Sequence, residues 1–261
     1  MIMPSKDSRQ DWRCCAPGRR ILYGLPSIGV FMLQPRSYPE LIGKALMLEA
    51  DPFIVMVDDD NPWVEGLFMI VVVGVAVGAA HLVGGLLAAA SLPPAQAVFQ
   101  ELVQAWRQLN LEPAVGEAWL QEAWGWLTLV TGYGSGWFRL LALLTVPLGL
   151  LIQWVFAGLV SHGVALALDG RGSLNQMLGA SALMVAPQVL RLVHIVPFTT
   201  VSNLLLTTWA LLVLYRAVAV AHELPWQRAV VAALAPVIAV IFLAGVAGTL
   251  LGLFLILGGG R

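Results

Sequence analysis

Three adjacent carboxylates, Asp58, Asp59 and Asp60, stand just ahead of Asn61, Pro62, Trp63 and Glu65 and a long apolar run. Carboxylates at such a boundary could hold magnesium against a diphosphate or lipid head group, provided that they recur at helical spacing or face a second acidic motif. The nearest other acids are Asp51 and Glu65, and Asp169 stands alone in a later turn. The same residues are the ingredients of a helix start. Asn61 suits an N-cap, Pro62 suits the first helical position, and Asp60 and Glu65 lie where the helix dipole favours negative charge. Trp63 then anchors the helix at a membrane boundary. The expectation is a helix start, with Asp58 to Asp60 free to meet a partner's basic patch.

Other stretches that could do chemistry fail on spacing. "AHELP" (Ala221 to Pro225) begins like a zinc protease helix, but that mechanism needs a second histidine one turn later, where Trp226 stands. "GYGSGW" (Gly132 to Trp137) has a serine among glycines without the Gly-x-Ser-x-Gly spacing of a nucleophile elbow. Cys14 and Cys15 are adjacent, which disfavours a mutual disulfide, and no histidine-rich neighbourhood offers a zinc site. No catalytic, cofactor-binding or metal-binding residue is expected, and the chain does not read as an enzyme.

Polar groups inside apolar runs are the more serious candidates, because lipid makes them costly and they usually face a bundle interior. His81, Gln188, Arg191, His194 and Asn203 all fall in such runs. Gln188, Arg191 and His194 follow one another at i, i+3 and i+6 and share a broad helical face. Two readings stay open: interhelical hydrogen bonds with Arg191 reaching outward, or the lining of a proton or solute path that Gln153 and His162 would extend.

The elements that must position these groups follow from composition. Of 261 residues 59% are apolar and 11% charged, and the mean hydropathy is +0.83; this is the profile of an integral membrane protein. Fourteen basic and fifteen acidic residues leave a net charge of −1, with no electrostatic footprint for nucleic acid. A bilayer core of about 30 Å takes roughly twenty apolar residues. Five runs qualify, at residues 66–90, 140–168, 174–196, 201–220 and 230–257, so the fold class is an all-α, five-helix polytopic bundle. Between the first two runs, Val98, Phe99, Leu102, Val103, Trp106 and Leu109 recur at helical spacing opposite Gln100, Glu101, Gln104, Arg107 and Gln108. That amphipathic segment, with Trp119, Trp124, Trp126 and Trp137 after it, belongs on the outer surface, where a tryptophan-lined pocket is the functional alternative.

Basic residues set the orientation. Lys6, Arg9, Arg13, Arg19, Arg20, Arg36 and Lys44 precede the first run, and Arg171, Arg216 and Arg228 share their side. Arg107, Arg139 and Arg261 take the other, which places the N-terminus in the cytoplasm and the C-terminus outside at the cell membrane. Residues 1–40 read as a disordered or weakly membrane-associated extension ahead of a membrane domain at 41–261. Small residues in "GVAVGAAHLVGG" (Gly74 to Gly85) and "GVAGTLLG" (Gly245 to Gly252) suit close helix packing, within the chain or between copies.

The order of features resembles the bacterial branch of the Yip (Ypt/Rab-interacting protein) domain family of five-span membrane proteins. An amphipathic "ALMLEADPFIVMVDDDNPWVEGL" leads into the first span, and four close-set spans follow a long loop. Pro187 within the third span, Pro197 at its end and Trp209 in the fourth carry the match from about Leu41 to Leu257. The resemblance implies a membrane-embedded scaffold whose eukaryotic relatives bind small GTPases. The eukaryotic Asp-Leu-Tyr-Gly-Pro motif is missing; "ILYGLP" (Ile21 to Pro26) lacks the aspartate and the final spacing, a departure that puts GTPase binding in doubt. The expected partners are membrane lipids and other membrane proteins or further copies of this chain. The rival expectation is a small transporter or channel built on the His81, Gln188, Arg191, His194 cluster.

Overall fold

The structure, a computed structural model, describes residues 37–109, 116–131, 133 and 139–258. Cys14, Cys15, the "ILYGLP" stretch, the N-terminal extension up to Arg36 and all of "GYGSGW" except Tyr133 lie outside them. Every described element is helical: α1 Tyr38–Leu46, α2 Asp51–Val57, α3 Pro62–Ser91, α4 Ala95–Gln108, α5 Glu117–Thr131, α6 Ala142–Ala167, α7 Leu174–Ala182 with a 3-10 continuation Leu183–Ile195, α8 Asn203–Ala221 and α9 Trp226–Gly258. Five of them, α3, α6, α7 with its continuation, α8 and α9, are long and apolar enough to cross a membrane. The expected spans therefore exist, with shifted ends: the first begins at Pro62 and the last at Trp226.

Local chemistry explains the starts and stops. Ser173 and Gln176 form a reciprocal cap on α7, in which the Gln176 N–H donates to Ser173 Oγ (3.3 Å) and the Ser173 N–H donates to Gln176 Oε1 (3.0 Å). Ser202 accepts at the start of α8. α6 ends through Asp169 at φ 68° and Gly170, whose N–H returns to the Ala165 carbonyl. Arg228 locks the start of α9 to that turn by donating to Leu168 O at 2.9 Å and pairing with Asp169 at 3.0 Å.

The third span is the main departure from a plain helix. From Leu183 it tightens to 3-10 winding around Pro187, which has no N–H to give to the preceding turn. Hydropathy does not distinguish the two windings, because the run is apolar around most of its circumference.

Glycines let the backbones touch. A Cβ on Gly74 would sit 2.6 Å from Pro147 Cα, and one on Gly78 would sit 2.7 Å from the Ala142 carbonyl oxygen, so α3 and α6 run antiparallel with nothing between them. The Gly-x-x-x-Gly face of the first span, a candidate for contact between copies, is thus consumed within the chain. Gly66 faces Ala182 and Gly179 faces Pro62, which seats the start of α3 past the first turn of the third span instead of at its end. The last turns of α6 and the first of α7 run past that point.

The helices α1 and α2 fill the space so created. Phe53 and Met56 of α2 are buried with Met177, Leu214 and Val218, and Trp209 Nε1 donates to the Leu46 carbonyl at 3.0 Å. Tyr38 is buried too and donates to Glu65 Oε2 at 3.4 Å, so the packed domain begins a few residues ahead of the expected boundary at 41. Burial, with the Glu65 carboxylate beside it, raises the Tyr38 pKa and keeps the phenol a donor.

Gly78→Leu should lower the unfolding temperature in detergent sharply, since overpacking a closed contact costs about 1–3 kcal/mol. Gly85→Leu, where the nearest atom to a new Cβ is 3.6 Å away on the Arg139 side chain, should be close to neutral. Equal melting of the two variants would contradict this packing.

Candidate functional site

The polar residues inside the spans gather at two levels of the bundle. At the end nearer α4 and α5, the His81 ring of α3 stacks on His194 with centroids 4.4 Å apart. Gly84 makes this approach possible, because any Cβ there would collide with the His194 carbonyl. His194 Nδ1 lies 2.9 Å from the Thr199 carbonyl, which only accepts, so Nδ1 carries a proton. Arg191 Nη2 donates to Asn203 Oδ1 at 2.9 Å and ties the third span to α8. Four of the five expected residues thus form two neighbouring pairs. Three residues per turn in the 3-10 segment align Gln188, Arg191 and His194 along one edge. Gln188 nevertheless points inward: it is 5% exposed, lies beside Ile70, Leu150 and Trp154, and its Oε1 has no hydrogen-bond partner among the described residues.

At the opposite end the structure makes a second histidine pair that sequence spacing does not reveal. His222, one residue past α8, is 1% exposed. Its Nδ1 accepts from the Gly172 N–H at 3.2 Å, so its proton sits on Nε2, which faces His162 Nδ1 at 3.1 Å. Gly172 must lack a side chain because a Cβ would strike the Ala221 carbonyl. The zinc-protease pattern around His222 therefore fails for a further reason: its imidazole is committed to the α6 and α7 junction. All four histidines of the chain belong to these two pairs.

The acidic stretch behaves as a turn with one altered contact. α3 starts with Asn61 at the N-cap and Pro62 next, but the Asn61 side chain makes no capping bond. Asp59 Oδ1 instead accepts from the Asn61 N–H at 2.9 Å, and the Asn61 carbonyl receives Val64 and Glu65. Asp60 is exposed, and Trp63 is 41% exposed beside it. Among the described residues, no group of three or more His, Cys, Asp or Glu side chains stands together as a metal site would require.

The amphipathic α4 leans on α5, with Phe99 and Trp124 rings 5.8 Å apart and the Tyr133 hydroxyl donating to the Pro93 carbonyl. The groove between them, about 600 Å³, is lined by Phe99, Trp124 and Tyr133 with Gln96, Gln100 and Gln121. Trp119 and Trp126 are 58% and 61% exposed and do not line it, so among the described residues Trp124 is the one indole of the expected tryptophan-rich lining; Trp137 lies outside them.

A family profile described as the Yip1 domain matches residues 45–248. The chain belongs to the Yip1 domain family. No curated protein and no solved structure matches the chain. The matched part of this Yip1 domain takes in both histidine pairs, α2 and most of α9, and it begins inside α1.

Burial, and to a smaller degree the neighbouring His162, lowers the His222 pKa from its ordinary 6.5 to about 4. An unfolded chain takes up this proton near pH 6.5 while the folded one resists it to about 4, so acid favours unfolding between those values. The contribution is whole above the upper value and falls away as pH drops. Melting should shift downward from about pH 7.5 to about pH 5, and His222→Gln should flatten that shift; an identical pH dependence in the variant would contradict the assignment.

Proposed function

We propose that this Yip1 domain protein, an integral membrane protein of the family's bacterial branch, is a non-catalytic scaffold that binds other membrane proteins or further copies of itself. Its basic residues support a cytoplasmic N-terminus and an outer C-terminus at the cell membrane. One observation carries the reading. Gly66, Gly74, Gly78 and Gly84 on α3 are used up inside the bundle, whereas a Cβ added to Gly245, Gly248 or Gly252 on α9 would meet nothing within 4 Å.

α9 has 33 residues, about 50 Å of helix against a bilayer core of about 30 Å. Ala229, Ala232 and Ala233 are fully or almost fully buried at its start, while Leu243, Val246, Leu250 and Phe254 are exposed farther along. Lipid covers leucine as well as protein does, so exposed apolar residues alone mean little. Glycine is different: in a helix interior it destabilises by about 0.5–1 kcal/mol relative to alanine, and close approach of another backbone is what offsets that. Three glycines at i, i+3 and i+7 present one such face.

Gly248→Leu should weaken recovery of a dimer or stoichiometric partner from native membranes by about tenfold. The open space at this position means that the unfolding temperature should stay the same. Native mass spectrometry showing the same species before and after the substitution would count against assembly through α9.

The stacked His81 and His194 beside the Arg191 and Asn203 pair support a second reading, passage of protons or a small solute. In proteoliposomes this reading expects a pH-dependent flux that His81→Ala with His194→Ala reduces by about tenfold or more. Flux unchanged by both substitutions removes it.

A further inference from the structure

An amide inside the hydrocarbon region of a membrane protein needs a hydrogen-bond partner, and one here has none among the described residues. Gln153 stands near the middle of α6, opposite Ile70 of α3. Ile70 is eight residues past Pro62, about 12 Å into the span. Gln153 is exposed on the bundle surface, and among the described residues no hydrogen bond reaches its amide. Leaving such a group against acyl chains is unfavourable.

The amide opens on a cavity of about 260 Å³ between α6, the third span, α8 and α9. Phe156, Met184, Leu211, Leu214, Val237 and Ile241 line it, and Thr207 brings a hydroxyl that has no hydrogen-bond partner among the described residues. Pro236 stands on the α9 wall, where it removes one helical N–H from that stretch of backbone. A second, much smaller space of about 10 Å³ lies on the other side of Gln153, with room for about one water, and there the buried Gln188 Oε1 lacks a partner. Gln153 and Met184 line both spaces. The Gln153 amide thus stands between the small space lined by Gln188 and the larger apolar chamber.

The lining selects the occupant. It offers no charge, so a phosphate or carboxylate head group has nothing to meet. The volume lies just under the roughly 300–1,000 Å³ of ordinary small-molecule sites, enough for one ring whose single chain continues past the exposed Val240 and Ile241 into the bilayer but not for a two-chain lipid. The Gln153 amide and the Thr207 hydroxyl both donate and accept, and their two donors meet a head that carries carbonyl acceptors at two points. We infer that the cavity between α6, α8 and α9 binds an uncharged, single-chain lipid with a carbonyl-bearing head, the chemistry of a quinone, through Gln153 and Thr207.

The test measures binding of decylubiquinone to the purified full chain in detergent by equilibrium ultrafiltration and native mass spectrometry, beside decylbenzene, which has the chain and ring but no carbonyl. Gln153→Leu should weaken decylubiquinone binding about tenfold and leave decylbenzene unchanged. Val240→Trp, at a half-exposed position that lines the cavity, should abolish saturable binding of both. The unfolding temperature of each variant without ligand shows that it folds. The inference is overturned if decylubiquinone does not bind saturably, or if Gln153→Leu binds it as tightly as the native chain. It is also overturned if Gln153→Leu destabilises the free protein with affinity unchanged, since the amide then serves Gln188. Dissociation of a dimer by Gln153→Leu without quinone binding would give the site to a second copy.

Discussion

The backbone contact between α3 and α6 is the constraint on which the rest of the structure depends. Lipid tails are as apolar as leucine side chains, so burial from water does not hold spans together and van der Waals contact must. Gly74 over Pro147 and Gly78 over the Ala142 carbonyl bring two backbones as close as geometry permits. That contact fixes the relative height of the helices, and Gly66, Gly158 and Gly179 extend it to the third span. Because α3 starts past the first turn of that span, a pocket is left at one end. The short helices α1 and α2 occupy it with Phe53, Met56 and Ala45, all 0–1% exposed.

Polar groups follow from the same arrangement. At each end of the bundle two histidines meet across helices that glycine brings together, Gly84 under His194 and Gly172 under His222. Hydrogen bonds from Gly172 to His222 and from His194 to Thr199 leave each of those rings one defined tautomer. Between the two levels, Trp154 donates to the Leu178 carbonyl at 3.0 Å and to Ser181 Oγ at 3.1 Å, which pins α6 to the third span beside Gln188. The bundle is therefore closed where its own residues pack on one another and open along the far half of α9.

Much of the fold is written in the sequence, because five apolar runs of span length admit few arrangements and Pro62 and Ser173 mark helix starts locally. The candidate cluster is legible in part. His81 and His194 are apolar-run histidines, and Asn203 lies one short turn away from Arg191, so their pairing follows from a tight hairpin. The His162 and His222 pair is not legible, since sixty residues separate its members and the contact depends on how α6, α7 and α8 come together. The 3-10 winding after Leu183 and the docking of α1 and α2 are hidden for the same reason: each answers to tertiary packing, while local pattern is compatible with an ordinary helix and a surface segment. Gly74 and Gly248 show the limit most clearly. The same residue type in the same kind of span is an internal contact in one and an open face in the other, and only the position of α6 decides which.

Cysteine cross-linking in native membranes tests this division of roles most directly. With Cys14→Ser and Cys15→Ser as background, Gly248→Cys should form cross-links between chains, to a second copy or to another membrane protein. Gly85→Cys, on α3 where a side chain is tolerated, should form none. Cross-links between chains at position 85 and none at 248 would contradict the account, because α3 would then be the assembly face and α9 an ordinary lipid-facing helix.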